Sequence, residues 1–542
     1  MNVYKHIETE KAIKKLIDGF QIIISPGGYF GDEAKGKTVA GIGEDPRVTI
    51  FARVNSGENA GHTIYFKGEK YVFNLLPSGV FTGKKIIVGD NTVMDPLSFF
   101  SKEISPLLDR NISTNNIFIG NTSLVFPWHK ISDALRNPNA STGKGISQVH
   151  SDISRKRDVS LEALVNGRHD LFEKNLEFWW KEIDPQLSDE VVDKLIENNN
   201  FPFDVSQILG AKNNKERIEL LVEMYDKKVK EFLVEHYADT NQIMLDELKK
   251  RNKIVLEAPQ SFFLSNSVGT HHSSSTSAHT HSSGIFAASN LPSDYMNKVL
   301  TINVHKAPGS SRVGSGANPS GHVEQEWFNR RGLKRESLNY DIDLKSALKQ
   351  FVESIDIETG LQNYNALYVD ENGKNIILDN VAEEFRKPLT VNEALAISEV
   401  NKYKEFGSTT GKPRITGALD LPHLKNLREY QGDKLSISCL DRGDGLEYLL
   451  LVRSYLYEGE EYNYKGRIYR PGDEITLDEP LPGEEVLKKC RPKYEVMNGW
   501  KNASSLEENV QKYLRRIEEL SGMNVISIGI GPETDQILYL RK

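Results

Sequence analysis

Residues 31 to 38 read Gly-Asp-Glu-Ala-Lys-Gly-Lys-Thr. This satisfies the formula of a phosphate-binding loop, in which backbone N–H groups and a lysine cradle the phosphates of a nucleotide. Two carboxylates, Asp32 and Glu33, stand inside that anion cradle. An acid there either caps the following helix, or holds Mg2+ against phosphates, or takes a proton from a second substrate. A second cluster, Arg53-Val-Asn-Ser-Gly-Glu-Asn59-Ala-Gly61-His62-Thr63, offers Asn, His and Thr in a small-residue loop that a ligand can approach closely. His62 suits a general acid or a charge stabiliser, or is a solvated loop histidine. A third stretch, residues 259–284, is dense in Ser, Thr, His and Gly, and the paired spacings of His271, His272, His279 and His281 admit a metal site.

Such loops need a scaffold. The apolar run QIIIS before the cradle reads as a buried strand, and a helix from about Lys37 would present its N-terminus to phosphate. Further strands are expected at VTIFARV, YVFNLL, KIIVGD, NIFIG and KIVLEA, and later at LSISCLD, EYLLLVRSYLY and NVISIGIG, with a helix at SSLEENVQKYLRRIEEL. Residues 187–252 place apolar positions three and four apart in charged surroundings and predict helices. Within 322–402, helix-like stretches flank a hairpin-like YNALYVDENGKNIIL, as in an inserted α+β subdomain. The expected fold is α/β, with a large, mostly parallel central sheet and flanking helices like those of phosphate-loop NTPases. The division follows: an N-terminal helix (1–20), first core part (21–150), mainly helical section (151–252), second core part with the Ser/His-rich loop (253–321), insertion (322–402) and C-terminal core (403–542).

Composition bounds the function. The 542 residues are 38% hydrophobic and 27% charged, as in a globular protein. A net charge of -8 argues against an extended nucleic-acid surface while leaving a local pocket for a small anion. Cys439 and Cys490 fit neither a disulfide framework nor a zinc pattern, and no stretch approaches eighteen apolar residues. A cytoplasmic protein with reduced thiols and no membrane contact is expected.

GDEAKGK, then NAGHT, then LLPSG closely resemble the adenylosuccinate synthetase family, whose members carry GDEGKGK, NAGHT and LLPSG or LIPSG in that order. STGKGI at 141–146, LEAPQS at 256–261, GT with SSSTS at 269–277, KAPGSSRVGSG at 306–316, EFGSTTGKPRITGALD at 405–420, and YLRRIEELSG with IGIGP at 513–532 are similar to further family segments. Most of 322–402 and the helical section 160–250 lie outside the likeness.

The resemblance implies a ligase that joins L-aspartate to C6 of IMP at the expense of GTP, with Mg2+ as cofactor, through a 6-phosphoryl intermediate. It implies Asp32 as proton acceptor and metal ligand, the Gly61 carbonyl as second metal ligand, and His62 as proton donor. Gly31, Lys35, Gly36, Lys37, Gly61, His62, Thr63 and Arg414 would serve GTP, with Asp441 reading guanine beside Cys439, Gly529 and Gly531. Asp32, Asn59, Thr142, Gln260, Ser275 and Lys412 would meet IMP, and Lys156, or else Arg155 or Arg157, would reach the IMP phosphate across a homodimer interface. Ser408, Thr409, Thr410, Gly411, Lys412 and Arg414 would bind aspartate. In the family the Ser/His-rich loop lies over the nucleotide, so donors toward phosphate or ribose replace the metal reading there.

The sequence departs from the family at Tyr29-Phe30 (usually Gln-Trp), Ala34 (Gly), Lys412-Pro413 (Arg-Arg or Arg-Pro) and Cys439 (Lys). Lys412 bears most on function, because a lysine is a point charge without the bidentate fork of arginine. A phage branch of the family that uses dGMP loses the aspartate kept here as Asp32, which favours an IMP-like acceptor. The alternatives are a divergent paralogue using dGMP or another purine nucleotide, and a nucleotide-binding regulator without catalysis.

Overall fold

The computed structural model describes residues 4–59, 61–66, 68–136, 142–197, 201–268, 274–407, 411–533 and 535–541. A large sheet runs in the order Lys5–Ile7, Ile537–Arg541, Asn524–Gly529, Lys434–Ser438, Asn303–Lys306, Ile22–Gly27, Lys253–Ser261, Val48–Gly57, Lys85–Met94 and Ile117–Ile119. Its eight strands from Asn524–Gly529 to Ile117–Ile119 pair in parallel. Helices cover both faces of such a sheet, so its strands are apolar on both sides. Ile22–Gly27 is accordingly buried at all six positions. This is the α/β fold with a mostly parallel central sheet expected above, and the carboxyl ends of parallel strands are where such folds bind ligands.

The N-terminus differs from the helix expected over 1–20. Lys5–Ile7 pairs antiparallel with Ile537–Arg541, and the helix is confined to Thr9–Leu16. The sheet would otherwise end on an open strand edge, and three residues of chain suffice to cover part of it. The run YVFNLL is also redirected: Glu69–Phe73 forms a separate hairpin with His62–Phe66.

The helical section holds Asp189–Glu197, Val205–Gly210, Asn214–Met224, Lys227–His236 and Thr240–Lys249. In the insertion, Leu344–Glu353 is capped by Asp343, and Val391–Tyr403 by a reciprocal Thr390/Glu393 box. The hairpin-like stretch 364–378 makes single bridges, Leu367 with Thr390, Val369 with Asn375 and Ile377 with Pro388, rather than a ladder. Leu367, Val369 and Ile377 are exposed, while Tyr368 and Leu378 between and beyond them are buried in the insertion's apolar cluster, so the stretch is held by alternate side chains packed inward rather than by a strand ladder. Phe328, Phe351, Leu395 and Ile397 of the insertion share one apolar cluster with Val452, Tyr455 and Tyr457 of the strand Tyr448–Tyr457. That strand belongs to a second, five-stranded sheet with Gly309–Arg312, Ile415–Asp420, Glu474–Ile475 and Cys490–Asn498. Among the described residues, no helix is long and apolar enough to cross a membrane.

Candidate active site

The loop after Ile22–Gly27 separates its two acids. Glu33 is buried, and one of its oxygens accepts the backbone N–H groups of Tyr29 at 3.1 Å and Gly31 at 2.8 Å. The other accepts the Ser261 hydroxyl at 2.5 Å and lies 3.5 Å from the Lys35 ammonium. Glu33 therefore clamps the loop to the end of the neighbouring strand Lys253–Ser261. A Cβ on Gly27 would stand 2.1 Å from the Ser261 hydroxyl and 2.2 Å from Glu33, so only glycine fits beneath the clamp. Gly31, Asp32 and Ala34 all have left-handed backbones, at φ 105°, 63° and 58°. For Ala34, where the family has glycine, that conformation costs about 1–2 kcal/mol. The helix begins at Lys35, two residues before the expected start.

Asp32 points elsewhere. Its side chain is 44% exposed, and Oδ2 accepts from Arg414 and lies 3.5 Å from the Lys306 ammonium. Both cations are shared with buried Glu405, which accepts from Lys306 at 2.7 Å, Arg414 at 3.0 Å and Arg442 at 2.7 Å. Burial alone would raise the Glu405 pKa, yet the three cations hold it well below the ordinary carboxylate range. The sign follows: the native charge set stabilises the fold fully above the unfolded carboxylate pKa near 4.5 and loses that stabilisation as pH falls below it. Glu405→Gln removes the counter-charge from three largely buried cations and is expected to cost about 3–5 kcal/mol at neutral pH. Denaturant titration of both proteins at pH 7 and near pH 3 measures it, with the gap narrowing at the lower pH; an equal gap at both would refute the assignment.

His62 opens the hairpin His62–Phe66 beyond the strand Val48–Gly57. Nδ1 lies 3.9 Å from Glu257, whose carboxylate accepts the backbone N–H of Ser78 at 2.6 Å and its hydroxyl at 2.9 Å. Burial lowers the His62 pKa, partly opposed by Glu257, so the ring is neutral in the free protein. His62 Nε2 and Gln260 Oε1 are buried with no hydrogen-bond partner among the described residues. Such groups mark a place where a polar ligand completes the set. Gly61, just before that strand, and Thr63, within it, are exposed.

The remaining expected residues fall into three groups. Asn59 donates to Thr276 at 3.2 Å, next to half-buried Ser275. Half-buried Thr142 lies two residues before Lys144, whose ammonium donates to the Glu58 carbonyl at 2.5 Å. Lys35 donates to the Gln260 carbonyl at 2.7 Å, and Gln260 itself has a left-handed backbone at φ 49°. Toward the C-terminal core, Lys37 donates to the Gly531 carbonyl in a setting charged by Asp441, Glu533 and Asp535. A Cβ on Gly529 would touch the Cys439 backbone at 3.3 Å, which brings Cys439 and Asp441 to the same end of the sheet. On the aspartate segment, Gly411 (φ 63°) and half-buried Lys412 are described, while Ser408, Thr409 and Thr410 lie outside the described residues, as do His271 and His272. His279 and His281 face the hydroxyls of Ser267 and Ser265, at 2.9 and 3.2 Å. Among the described residues no three His, Cys, Asp or Glu side chains form a metal group.

The basic triplet resolves in part. Arg157 donates to Asp152 at 2.5 Å and lies 3.2 Å over the Phe178 ring, so it is held within its own chain. Arg155 and Lys156 are exposed.

Sequence reasoning missed the groups that tie these segments together: Glu257 with Ser78, Glu405, Lys306 and Arg442. A signal was present for two of them. Glu257 lies midway along the buried strand Lys253–Ser261 and Lys306 ends the buried strand Asn303–Lys306, positions where a charge is retained only with a partner.

A sequence model described as adenylosuccinate synthetase matches residues 24–538. The chain is 35% identical to adenylosuccinate synthetase 2 of Trypanosoma cruzi, over 99% of this chain and 90% of the relative. It is 34% identical to the adenylosuccinate synthetase of Leishmania major, over 99% and 79% respectively. In fold it is similar to fully ligated adenylosuccinate synthetase from Plasmodium falciparum, with a TM-score of 0.64 at 22% identity, covering 96% of this chain and 100% of that one.

Proposed function

The chain belongs to the adenylosuccinate synthetase family, and from that premise we propose that it ligates L-aspartate to C6 of IMP with GTP as phosphoryl donor. The observation that carries the reading is the division of labour in the cradle. Glu33 shapes the loop, which leaves Asp32 as an accessible carboxylate beside the loop's backbone, supporting a role for Asp32 next to bound phosphate.

The chemistry requires such a carboxylate. The C6 oxygen of hypoxanthine is a poor leaving group until it is phosphorylated. Asp32 takes the N1 proton, which moves electron density onto O6, and O6 attacks the γ-phosphorus of GTP as its bond to the β,γ-bridging oxygen breaks and GDP leaves. The Lys35 and Lys37 ammonium groups offset the developing charge, and His62 donates to the transferring phosphoryl oxygens from Nε2. The amine of aspartate then adds at C6, and phosphate leaves with the original O6. Arg414 and Lys306 hold Asp32 until the purine edge and aspartate arrive; the aspartate carboxylates then compete for Arg414 and Lys412.

Mg2+ fits the oxygen donors present, the Asp32 carboxylate and the Gly61 carbonyl, as a hard cation requires. Bound there, it would screen the β,γ-phosphate charge during transfer.

Specificity for guanine rests on Asp441. Burial raises its carboxyl pKa, partly opposed by Lys37, and the N1–H and 2-amino donors of guanine would supply partners for both oxygens. Asp441→Asn is expected to raise the KM for GTP roughly 10- to 100-fold. It should also admit XTP, whose 2-oxo group accepts from the new amide. Steady-state kinetics with both nucleotides decide it, and an unchanged GTP KM would refute the role.

A homodimer with a basic residue acting in trans is part of the proposal, supported by exposed Arg155 and Lys156. Mixing inactive Asp32→Asn with a Lys156→Ala or Arg155→Ala chain is expected to restore about a quarter of native activity through heterodimers. No recovery from either mixture would count against it. A cytoplasmic location accords with the free cysteines Cys439 and Cys490. The proposal as a whole is tested by incubating protein, Mg2+, GTP and aspartate with IMP or with dGMP. Adenylosuccinate formed from IMP is the expected product, and turnover with dGMP alone would overturn the acceptor.

A further inference from the structure

Arg442, the third partner of Glu405, also lines a separate cleft of about 450 Å3. It is lined by residues 340–345, 398 and 401–404 of the insertion and its margin, and by Arg442, Asp444 and Leu446, just after Asp441. Four cations face it: Lys345, Lys402, Lys404 and Arg442. The three lysine ammonium groups make no ion pair among the described residues. Three carboxylates, Asp341, Asp343 and Asp444, share the lining, so cations exceed acids by one; Asp341 is exposed and makes no ion pair among the described residues, and the other two are committed to hydrogen bonds. Asp343 accepts the Ser346 N–H at 2.8 Å, and Asp444 accepts the Trp500 indole N–H at 2.9 Å and the Ala503 N–H at 2.8 Å. Tyr403 gives the cleft an aromatic wall, its ring 4.5 Å from the Arg442 guanidinium and its hydroxyl donating to the Arg442 carbonyl at 2.9 Å.

We propose that this cleft is a second binding site, for a small oligophosphate anion, and that its occupant regulates the active site by competing with Glu405 for Arg442. Unpaired cations in a cleft of this size match an anion that carries several charges. The coupling path is short: Arg442 to Glu405, Glu405 to Lys306 and Arg414, and both of these to Asp32. When the anion draws Arg442 away, Glu405 retains only Lys306 and Arg414. It then attracts both more strongly, loosens their hold on Asp32 and frees that carboxylate for the purine edge. The occupant is therefore an activator. The binding claim stands on the cleft alone, whereas the sign of the effect rests on the proposed ligase reading.

The test is a calorimetric titration of inorganic pyrophosphate, with Mg2+ in excess, into protein whose active site is saturated with GDP and IMP. One remaining site per chain is expected, weakened at least tenfold in Lys345→Glu/Lys402→Glu. No binding to the filled protein, or equal binding by the variant, overturns the site. Should the double reversal fail to fold, Lys402→Ala carries the same test, with at least threefold weakening expected. Replacing pyrophosphate by ADP separates two sources of the anion: tighter binding of ADP assigns the site to a nucleotide, and equal binding to a bare phosphate chain. In turnover assays pyrophosphate should raise the native rate and leave the variant at an unchanged basal rate. Binding without any change in native rate overturns the coupling. Absence of adenylosuccinate from IMP, with pyrophosphate binding intact, would instead refute the ligase reading and leave the site standing.

Discussion

Asp32→Asn is expected to lower kcat about 10³–10⁴-fold while leaving the dissociation constant for GTP within a few-fold of native. The amide is nearly isosteric and still accepts from Arg414, so the loop, clamped independently by Glu33, keeps its shape. What it loses is the ability to take a proton. The two carboxylates of the cradle thus predict opposite phenotypes. Glu33→Gln disturbs the hydrogen bonds that set the loop and should weaken nucleotide binding along with the rate. Binding and single-turnover measurements on both variants separate chemistry from shape. An Asp32→Asn enzyme that retains a tenth or more of native kcat would remove the assigned base.

His62→Ala is expected to cost about 10²–10³-fold in kcat, the usual size of a lost donor to a developing charge. The buried ring is neutral in the free protein, so its N–H can donate without a proton first being taken from solution. Phosphate charge at Nε2 and the Glu257 carboxylate 3.9 Å from Nδ1 both favour the imidazolium once GTP is bound. The pKa that burial lowers in the free protein should therefore rise in the complex. Titration of the His62 resonance with and without a non-hydrolysable GTP analogue checks the sign, and a pKa that falls or stays fixed on binding contradicts it. His62→Gln, which keeps a donor, should recover part of the rate; equal losses in the Ala and Gln variants would point to packing instead.

The loop at 31–38 was legible because its pattern is local. A glycine-rich formula follows one apolar strand, and a carboxylate at its second position reads directly from the chain. The parallel sheet was legible for a related reason: apolar runs such as Ile22–Gly27 and Lys253–Ser261 are long enough to leave no alternative to burial. The distribution of roles between Asp32 and Glu33 was not legible. It depends on Ser261, Arg414 and Lys306, which approach only after the sheet brings distant strand ends together. The same holds for Glu405, whose three cations come from separate segments. The short N-terminal strand was missed because three residues show no periodicity, and its pairing partner lies at the other end of the chain. In the insertion, the turn at 370–373 was readable from Asp-Glu-Asn-Gly, but the chain on either side of it makes isolated bridges, two of them to Pro388 and Thr390, which the local pattern does not show.

The most direct test of the central claim follows the purine oxygen. With IMP labelled at O6 with oxygen-18, together with GTP, aspartate and Mg2+, the label should appear in the released inorganic phosphate, one atom for each adenylosuccinate formed. Phosphate that instead carries oxygen from solvent water, with the label left on the purine, would mean that GTP is merely hydrolysed and that Asp32 does not activate O6.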